Sequence, residues 1–87
     1  MENMKKKIRL RNNESDILLL IEDKINDTQK LAVESELSYP EIENTVKKFG
    51  KLGFIKTKKR GKEIIEAKIT RQGILFIKEH IRRFHFS

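Results

Sequence analysis

The chain of 87 residues contains no cysteine and no tryptophan, and only one proline and one tyrosine. Without cysteine it can form neither a disulfide framework nor a thiolate zinc site, and it has no cysteine nucleophile. No stretch approaches the roughly 18 apolar residues that a membrane-spanning helix needs. The lysine-rich start is not followed by the apolar run of a secretory signal. We therefore expect one soluble cytoplasmic domain with no membrane partner.

Groups that carry catalysis are also sparse. His80 and His85 are five residues apart, which is poor spacing for one helix face, and no cysteine or carboxylate completes a metal set. The four glycines are scattered singly, so no glycine-rich loop can cradle a phosphate. We expect neither an enzyme nor a cofactor, and no small-molecule pocket is evident from the sequence.

The charge, in contrast, is abundant and divided along the chain. The formal net charge is +7, yet residues 13–45 hold nine acids against two lysines and residues 46–87 hold thirteen bases against three glutamates. Residues 1–12 add five bases against one glutamate. A polyanion would exploit this segregation, because each neutralised phosphate releases counterions. The alternative is a merely solvated charged surface.

The first half of the chain predicts two helices after a basic arm. Helical apolar spacing covers about residues 14–25, and Ser15 and Asp16 supply capping and acidic groups to the first turn. A short second helix is expected over about residues 28–34. The apolar positions of the first helix are Ile17, Leu18, Leu20, Ile21 and Ile25.

A third helix begins with the strongest local signal in the chain. Ser38 and Glu41 match the S-x-x-E capping box, and Pro40 lies in the first turn, where its missing amide hydrogen costs nothing. Gly50 and Gly53 weaken and end this helix. Its inward stripe is Ile42, Val46 and Phe49.

From Phe54 the pattern changes to that of a hairpin and then to that of a last helix. Residues 54–58 predict a strand, residues 59–62 a turn and residues 63–69 the return strand. The expected apolar face of the return strand is Ile65, Ala67 and Ile69. Thr70 can cap a final helix towards Phe84. The apolar seam of that helix is Ile74, Ile77, Ile81 and Phe84.

Residues 27–73 resemble the winged helix-turn-helix of small bacterial, archaeal or archaeal-virus transcription regulators, including the MarR-like and PadR-like groups. The matching stretches are Thr-Gln-Lys-Leu-Ala at 28–32, Leu-Ser at 37–38, Thr-Val-Lys-Lys-Phe-Gly-Lys-Leu-Gly-Phe-Ile at 45–55 and Ile-Thr-Arg-Gln-Gly at 69–73. The resemblance implies a mainly α fold with a small β-hairpin in the order α-α-α-β-β-α. A basic arm at 1–13 would precede the winged domain at 14–87.

The resemblance also implies binding of double-stranded DNA by a nucleoid-associated transcription regulator. Its recognition helix, about residues 38–50, would enter the major groove, where Asn44 can pair with adenine. The wing, about residues 56–64, would follow the backbone or enter the minor groove, for which Arg60 is the best candidate. The expected recognition-helix contacts are Tyr39, Glu43, Asn44, Lys47, Lys48 and Lys51. The expected wing contacts are Lys58, Lys59, Arg60 and Lys62. Possible arm contacts are Lys5, Lys6, Lys7 and Arg9.

Several alternatives stay open from the sequence. Glu36 stands where the turn between the paired helices usually carries glycine, and Glu43 could accept from cytosine or repel phosphate. Tyr39 could stack on DNA or pack beside the helix start. The seam of the last helix either forms a homodimer, which we favour because Phe84 would otherwise be exposed, or closes the monomer core. The same fold could also serve protein contact through its acidic face, or bind RNA.

Overall fold

The computed structural model describes residues 10–81, and its elements follow the predicted order. The helices are α1 (Asn12–Glu22), α2 (Thr28–Ser35), α3 (Tyr39–Leu52) and α4 (Arg71–Phe76), which continues as a π-helical turn at Ile77–Ile81. The strands are β1 (Ile55–Arg60) and β2 (Glu63–Ile69), and they form one antiparallel hairpin. The predicted fold class, mainly α with a small hairpin, is therefore confirmed.

One apolar core joins all these elements. The predicted inward stripe of α3 is confirmed, because Ile42, Val46 and Phe49 are each 0% exposed. Burial of each such side chain contributes about 1.5–3 kcal/mol, so this core dominates the stability of so small a domain. The core residues of the other elements are Ile17, Leu18, Ile21, Leu31, Phe54, Ile55, Ile64, Ala67, Phe76 and Ile77.

Helix α1 begins and ends earlier than predicted. The carboxylate of Glu14 accepts a hydrogen bond from the Arg11 amide at 3.0 Å, so the helix starts at Asn12 rather than at about residue 14. The helix stops at Glu22 because Lys24 adopts a left-handed backbone with φ of 73°. The last two residues of the expected arm at 1–13 therefore belong to α1.

The connection between α2 and α3 uses a left-handed residue that is not glycine. Asp27 caps α2 by accepting from the Gln29 amide at 2.7 Å. At its other end Glu36 adopts φ of 61° and lets the chain turn into α3. The predicted capping box of α3 is confirmed, because the Glu41 carboxylate accepts from the Ser38 amide at 3.0 Å and the Ser38 hydroxyl accepts from the Glu41 amide at 3.4 Å.

The hairpin differs from the prediction in its turn and in its register. The turn consists of Gly61 and Lys62 alone, and Gly61 has the positive φ of 63° that such a two-residue loop requires. A bulge follows, because Lys58 lies opposite Glu66 whereas Lys59 lies opposite Ile64. One extra residue, Ile65, therefore interrupts the alternation of β2.

This bulge makes the predicted apolar face of β2 wrong at Ile65, whereas Ala67 is buried and Ile69 packs against the core as predicted. Ile64 and Ala67 are buried, whereas Ile65 is only half-buried. Strict alternation would have placed Ile65 and Ala67 on one face. The inner edge of β2 is joined to the α1–α2 connection, where the Ala67 amide donates to the Asn26 carbonyl at 2.9 Å. The hairpin is therefore attached to the helical body along β2.

The Thr-Arg-Gln-Gly stretch at residues 70–73 begins helix α4. Thr70 accepts from the Gly73 amide at 3.1 Å and donates from its hydroxyl to the Gly53 carbonyl at 2.7 Å. Its own amide donates to the Phe54 carbonyl at 2.9 Å. These bonds fix the base of the hairpin against the end of α3.

The last helix was predicted to run as a regular helix towards Phe84. Within the described residues it becomes π-helical at Ile77 and reaches Ile81, and Phe84 lies outside them. The arm residues Lys5, Lys6, Lys7 and Arg9 also lie outside the described range. Among residues 10–81, no helix has the length and apolar character needed to cross a membrane.

Candidate nucleic-acid interface

The outward face of α3 carries most of the contacts that were predicted for the recognition helix. The opposite face of α3 packs in the core, so Asn44, Lys47 and Lys51 are exposed to solvent. Glu43 is half-buried beside them. Asn44, Lys47, Lys48 and Lys51 line one shallow depression of about 450 Å³ with Leu52. The structure therefore brings together one amide and three ammonium groups, a set suited to phosphates and base edges.

Lys48 differs from its neighbours because it is held by α1. Its ammonium nitrogen lies 2.9 Å from the Glu14 Oε1. Burial raises the pKa of the Glu14 carboxyl, but the Arg11 amide and Lys48 outweigh it and hold that pKa below its usual value. Glu14 is thus ionised at neutral pH and neutralises Lys48, which leaves Lys47 and Lys51 as the freer cations of this face.

Tyr39 lies at the first turn of α3 and is half-buried. Its hydroxyl donates to the backbone carbonyl of Ile64 at 3.0 Å. Burial raises the pKa of the Tyr39 phenol, and the carboxylates of Glu43 and Glu63 raise it further. The phenol is therefore protonated at neutral pH and able to donate. Of the two roles that the sequence left open for Tyr39, its contacts favour packing against the wing.

The four predicted wing residues are all exposed, but their surroundings differ. Lys58 lies opposite Glu66 and Arg60 lies opposite Glu63 in the strand register. Cross-strand neighbours on one face are within interaction distance, so these two cations are partly offset by carboxylates. Lys59 lies opposite Ile64, and Lys62 occupies the turn.

A cleft of about 370 Å³ is lined by the wing and by the starts of α2 and α3. Tyr39, Lys58 and Arg60 line it together, so the structure joins one predicted residue of α3 with two of the wing. Asn44 and the lysines of α3 line the other depression. The remaining residues of the cleft are Asp27, Thr28, Gln29, Glu63, Ile64, Ile65 and Glu66.

Three residues that position this surface were missed by reasoning from sequence. Glu14 holds Lys48 from 34 positions away, and no local pattern signals such a pair. Thr28 is buried, and its hydroxyl donates to the Ile64 carbonyl at 2.9 Å. Gln29 lines the cleft at the start of α2, where the Thr-Gln-Lys stretch of the resemblance was the available signal.

The predicted seam of the last helix divides between core and surface. Ile77 is 0% exposed and belongs to the monomer core, so it cannot face a second copy in this conformation. Ile74 and Ile81 are half-buried, and Leu75 is 49% exposed. Phe84 lies outside the described residues.

Within residues 10–81, no group of three or more histidine, cysteine, aspartate or glutamate side chains is arranged to hold a metal ion. His80 instead stacks on Phe76 with ring centroids 4.7 Å apart. This contact places the histidine against the apolar side of α4.

Comparison with known proteins gives matches in structure but not in sequence. No protein-family model matches the chain, and the curated proteins contain no significant match. The zinc-responsive MarR family member ZitR of Lactococcus lactis matches 98% of this chain with a TM-score of 0.71 at 16% identity. Wild-type ZitR in complex with DNA matches 98% of the chain with a TM-score of 0.71 at 18% identity.

A further structure of wild-type ZitR matches 98% of the chain with a TM-score of 0.72 at 19% identity. The chain spans only 60%, 60% and 58% of the lengths of these three neighbours, respectively. Identity this low establishes the fold alone. The fold is the winged helix-turn-helix seen in MarR family regulators, as the resemblance over residues 27–73 predicted.

Proposed function

We propose that this chain is a transcription regulator that binds double-stranded DNA with α3 and the wing. The observation that carries the proposal is the face of α3 that the core leaves free. That face presents Asn44, Lys47 and Lys51 to solvent. Support comes from the fold, since ZitR, which shares it, forms a complex with DNA. The proposal involves no catalytic step.

The residues of the surface receive different roles. Asn44 is the base reader, because a side-chain amide pairs bidentately with adenine in the major groove. Lys47 and Lys51 contact phosphates, whereas Lys48 contributes less because Glu14 neutralises it. Glu43 lies beside the reader and accepts from cytosine N4 when that base is present.

On the wing, we assign phosphate contacts mainly to Lys59 and Lys62. Lys58 and Arg60 line the cleft and lie opposite carboxylates, so their contribution to phosphate binding is smaller. This assignment revises the preference for Arg60 in a minor groove. The arm contacts of Lys5, Lys6, Lys7 and Arg9 remain a prediction.

We further propose that the protein acts as a homodimer through the last helix. The apolar side chains that the monomer leaves accessible there are Ile74, Leu75 and Ile81, and Phe84 would extend the same seam. Ile77 is excluded from the seam because it is buried. A two-fold dimer would require a roughly palindromic site with half-sites about one helical turn apart.

The test is binding to random duplex DNA, measured by fluorescence anisotropy across a salt series of roughly 50–300 mM. We expect steep salt dependence, since log affinity falls by about 0.9 for each phosphate neutralised per unit of log salt. The double variant Lys47→Gln/Lys51→Gln should lower that slope by about 1.8 for each bound subunit, because it removes two phosphate contacts per subunit.

The matched control is Lys24→Gln/Lys68→Gln, which changes net charge equally at two exposed lysines outside α3 and residues 56–64. Its slope should stay near that of the wild type. Weak or salt-independent binding of the wild type would reject the DNA proposal. The acidic surface of residues 13–45 would then become the candidate contact surface for a protein partner.

A further inference from the structure

The bulge in β2 places one backbone atom where three elements meet. The Ile64 carbonyl accepts from the Thr28 hydroxyl at 2.9 Å and from the Tyr39 hydroxyl at 3.0 Å. A carbonyl oxygen has two lone pairs, so a single atom can take both bonds.

The two donors begin the two paired helices. Thr28 is the first residue of α2 and Tyr39 is the first residue of α3. Each helix is thereby attached by its first residue to the same point of the wing. Thr28 is 2% exposed, so the low local dielectric strengthens its hydrogen bond, whereas Tyr39 is only half-buried.

The wing needs such an attachment. A two-stranded hairpin is marginally stable alone, and residues 56–63 of this one are exposed without interruption. Of the apolar anchors of the hairpin, Ile55 and Ala67 lie towards its base and middle, whereas Ile64 lies near the tip, in the pair next to Arg60 and Glu63. The direction of the tip relative to α3 therefore depends on contacts near Ile64, where the bulge bends β2.

We propose that Tyr39 is a positioning residue, which fixes the wing relative to α3 through its hydrogen bond to the Ile64 carbonyl. This inference rests on the proposed DNA binding. Tyr39 does not itself contact the duplex. It holds Lys59 and Lys62 at the distance from Asn44 at which both elements reach the same DNA, and binding surfaces of this kind depend on supporting contacts for their precision. Thr28 supports the same geometry from α2.

The test is a double-mutant cycle on DNA affinity. Tyr39→Phe removes only the hydroxyl, and we expect it to weaken binding about fivefold, which corresponds to one net hydrogen bond. It should also lower the salt slope, because a misplaced wing loses phosphates. In a wing-neutral background, Lys59→Gln/Lys62→Gln, adding Tyr39→Phe should have no further effect, because the wing no longer binds phosphates.

Two further variants separate positioning from stability. Thr28→Val removes the second donor without changing shape, and it should weaken binding in the same direction. Thr45→Val is the matched control, because the Thr45 hydroxyl on α3 donates within its own helix to the Glu41 carbonyl at 2.9 Å. It should leave DNA affinity unchanged at temperatures where all the variants are folded.

The outcomes are separable. The positioning role is wrong if Lys59→Gln/Lys62→Gln weakens DNA binding but Tyr39→Phe does not. It is also wrong if Tyr39→Phe lowers DNA affinity by the same factor in both backgrounds. Absence of DNA binding by the wild type would instead reject the proposed function. Amide hydrogen exchange of β1 and β2 in the free protein then still tests the attachment, since Tyr39→Phe should speed it and Thr45→Val should not. Unchanged exchange in Tyr39→Phe would overturn the inference.

Discussion

Gly73 offers a direct test of the packing that positions the wing, through the substitution Gly73→Ala. A β-carbon at this position would lie 2.4 Å from the Phe54 carbonyl oxygen and 2.9 Å from the Ile69 Cγ1. The Phe54 oxygen cannot easily move away, because it accepts a hydrogen bond from the Thr70 amide at 2.9 Å. The obstacle is therefore backbone at the base of the hairpin, and the substitution must displace either α4 or β1.

The size of the effect follows from two opposing contributions. Overpacking costs about 1–3 kcal/mol, and contact with a restrained backbone places this case at the upper end. Alanine regains up to about 1 kcal/mol of helix propensity relative to glycine. We therefore expect Gly73→Ala to lower the free energy of unfolding by about 2 kcal/mol. Gly50→Ala is the matched control, since a β-carbon there meets nothing within 4 Å, and it should stabilise by about 0.5–1 kcal/mol.

The assay is urea unfolding followed by circular dichroism, with all three proteins at the same pH and salt concentration. A domain of this size is expected to unfold in two states, so the midpoints and slopes give free energies directly. The two alanine variants should shift the midpoint in opposite directions. If Gly73→Ala is as stable as the wild type, the close approach of α4 to Phe54 is wrong, and the base of the wing must be arranged differently.

Two other substitutions test local features. Glu36→Gly should raise the free energy of unfolding by about 0.5–1 kcal/mol, because glycine adopts φ of 61° without the clash of a β-carbon, and thermal unfolding will measure it. Glu14→Gln should cost about 0.5–1 kcal/mol at pH 7 by breaking the pair with Lys48, whereas Asp16→Asn, an equal charge change at an exposed residue, should not. The pKa of Glu14 is lower in the folded protein than its ordinary 4.5. Its stabilising effect is therefore present above the unfolded-state pKa and lost as pH falls through the folded-state pKa, so in acid unfolding the wild type should approach Glu14→Gln.

The features that could be predicted from sequence are those with local causes. The start of α3 was predictable because Ser38 and Glu41 satisfy each other's backbone amides within a single turn. Its buried face was predictable because Ile42, Val46 and Phe49 repeat at helical spacing. The fold class was implied by the resemblance, which rests on the order of such local elements, and the structural match to ZitR holds at 16–20% identity.

The features that could not be predicted depend on contacts between distant residues. A bulge adds a residue without any necessary mark in the sequence, so strict alternation assigned Ile65 to the core in place of Ile64. The neutralisation of Lys48 required Glu14 to be brought across from α1. The sequence left two roles open for Tyr39 because its hydrogen-bond partner is a backbone carbonyl. Every residue carries such a carbonyl, so no residue type marks this partner.

The same limit applies to the electrostatics of the wing. Counted along the chain, Lys58, Lys59, Arg60 and Lys62 are four cations within five residues, and they suggest four phosphate contacts. The register changes that count, because Glu66 and Glu63 lie opposite Lys58 and Arg60. Lys58 and Arg60 therefore each have a carboxylate as cross-strand neighbour, whereas Lys59 and Lys62 do not. In the proposed complex with DNA, the wing should therefore account for about 1.8 units of the salt slope per bound subunit, the amount expected for two phosphates rather than four.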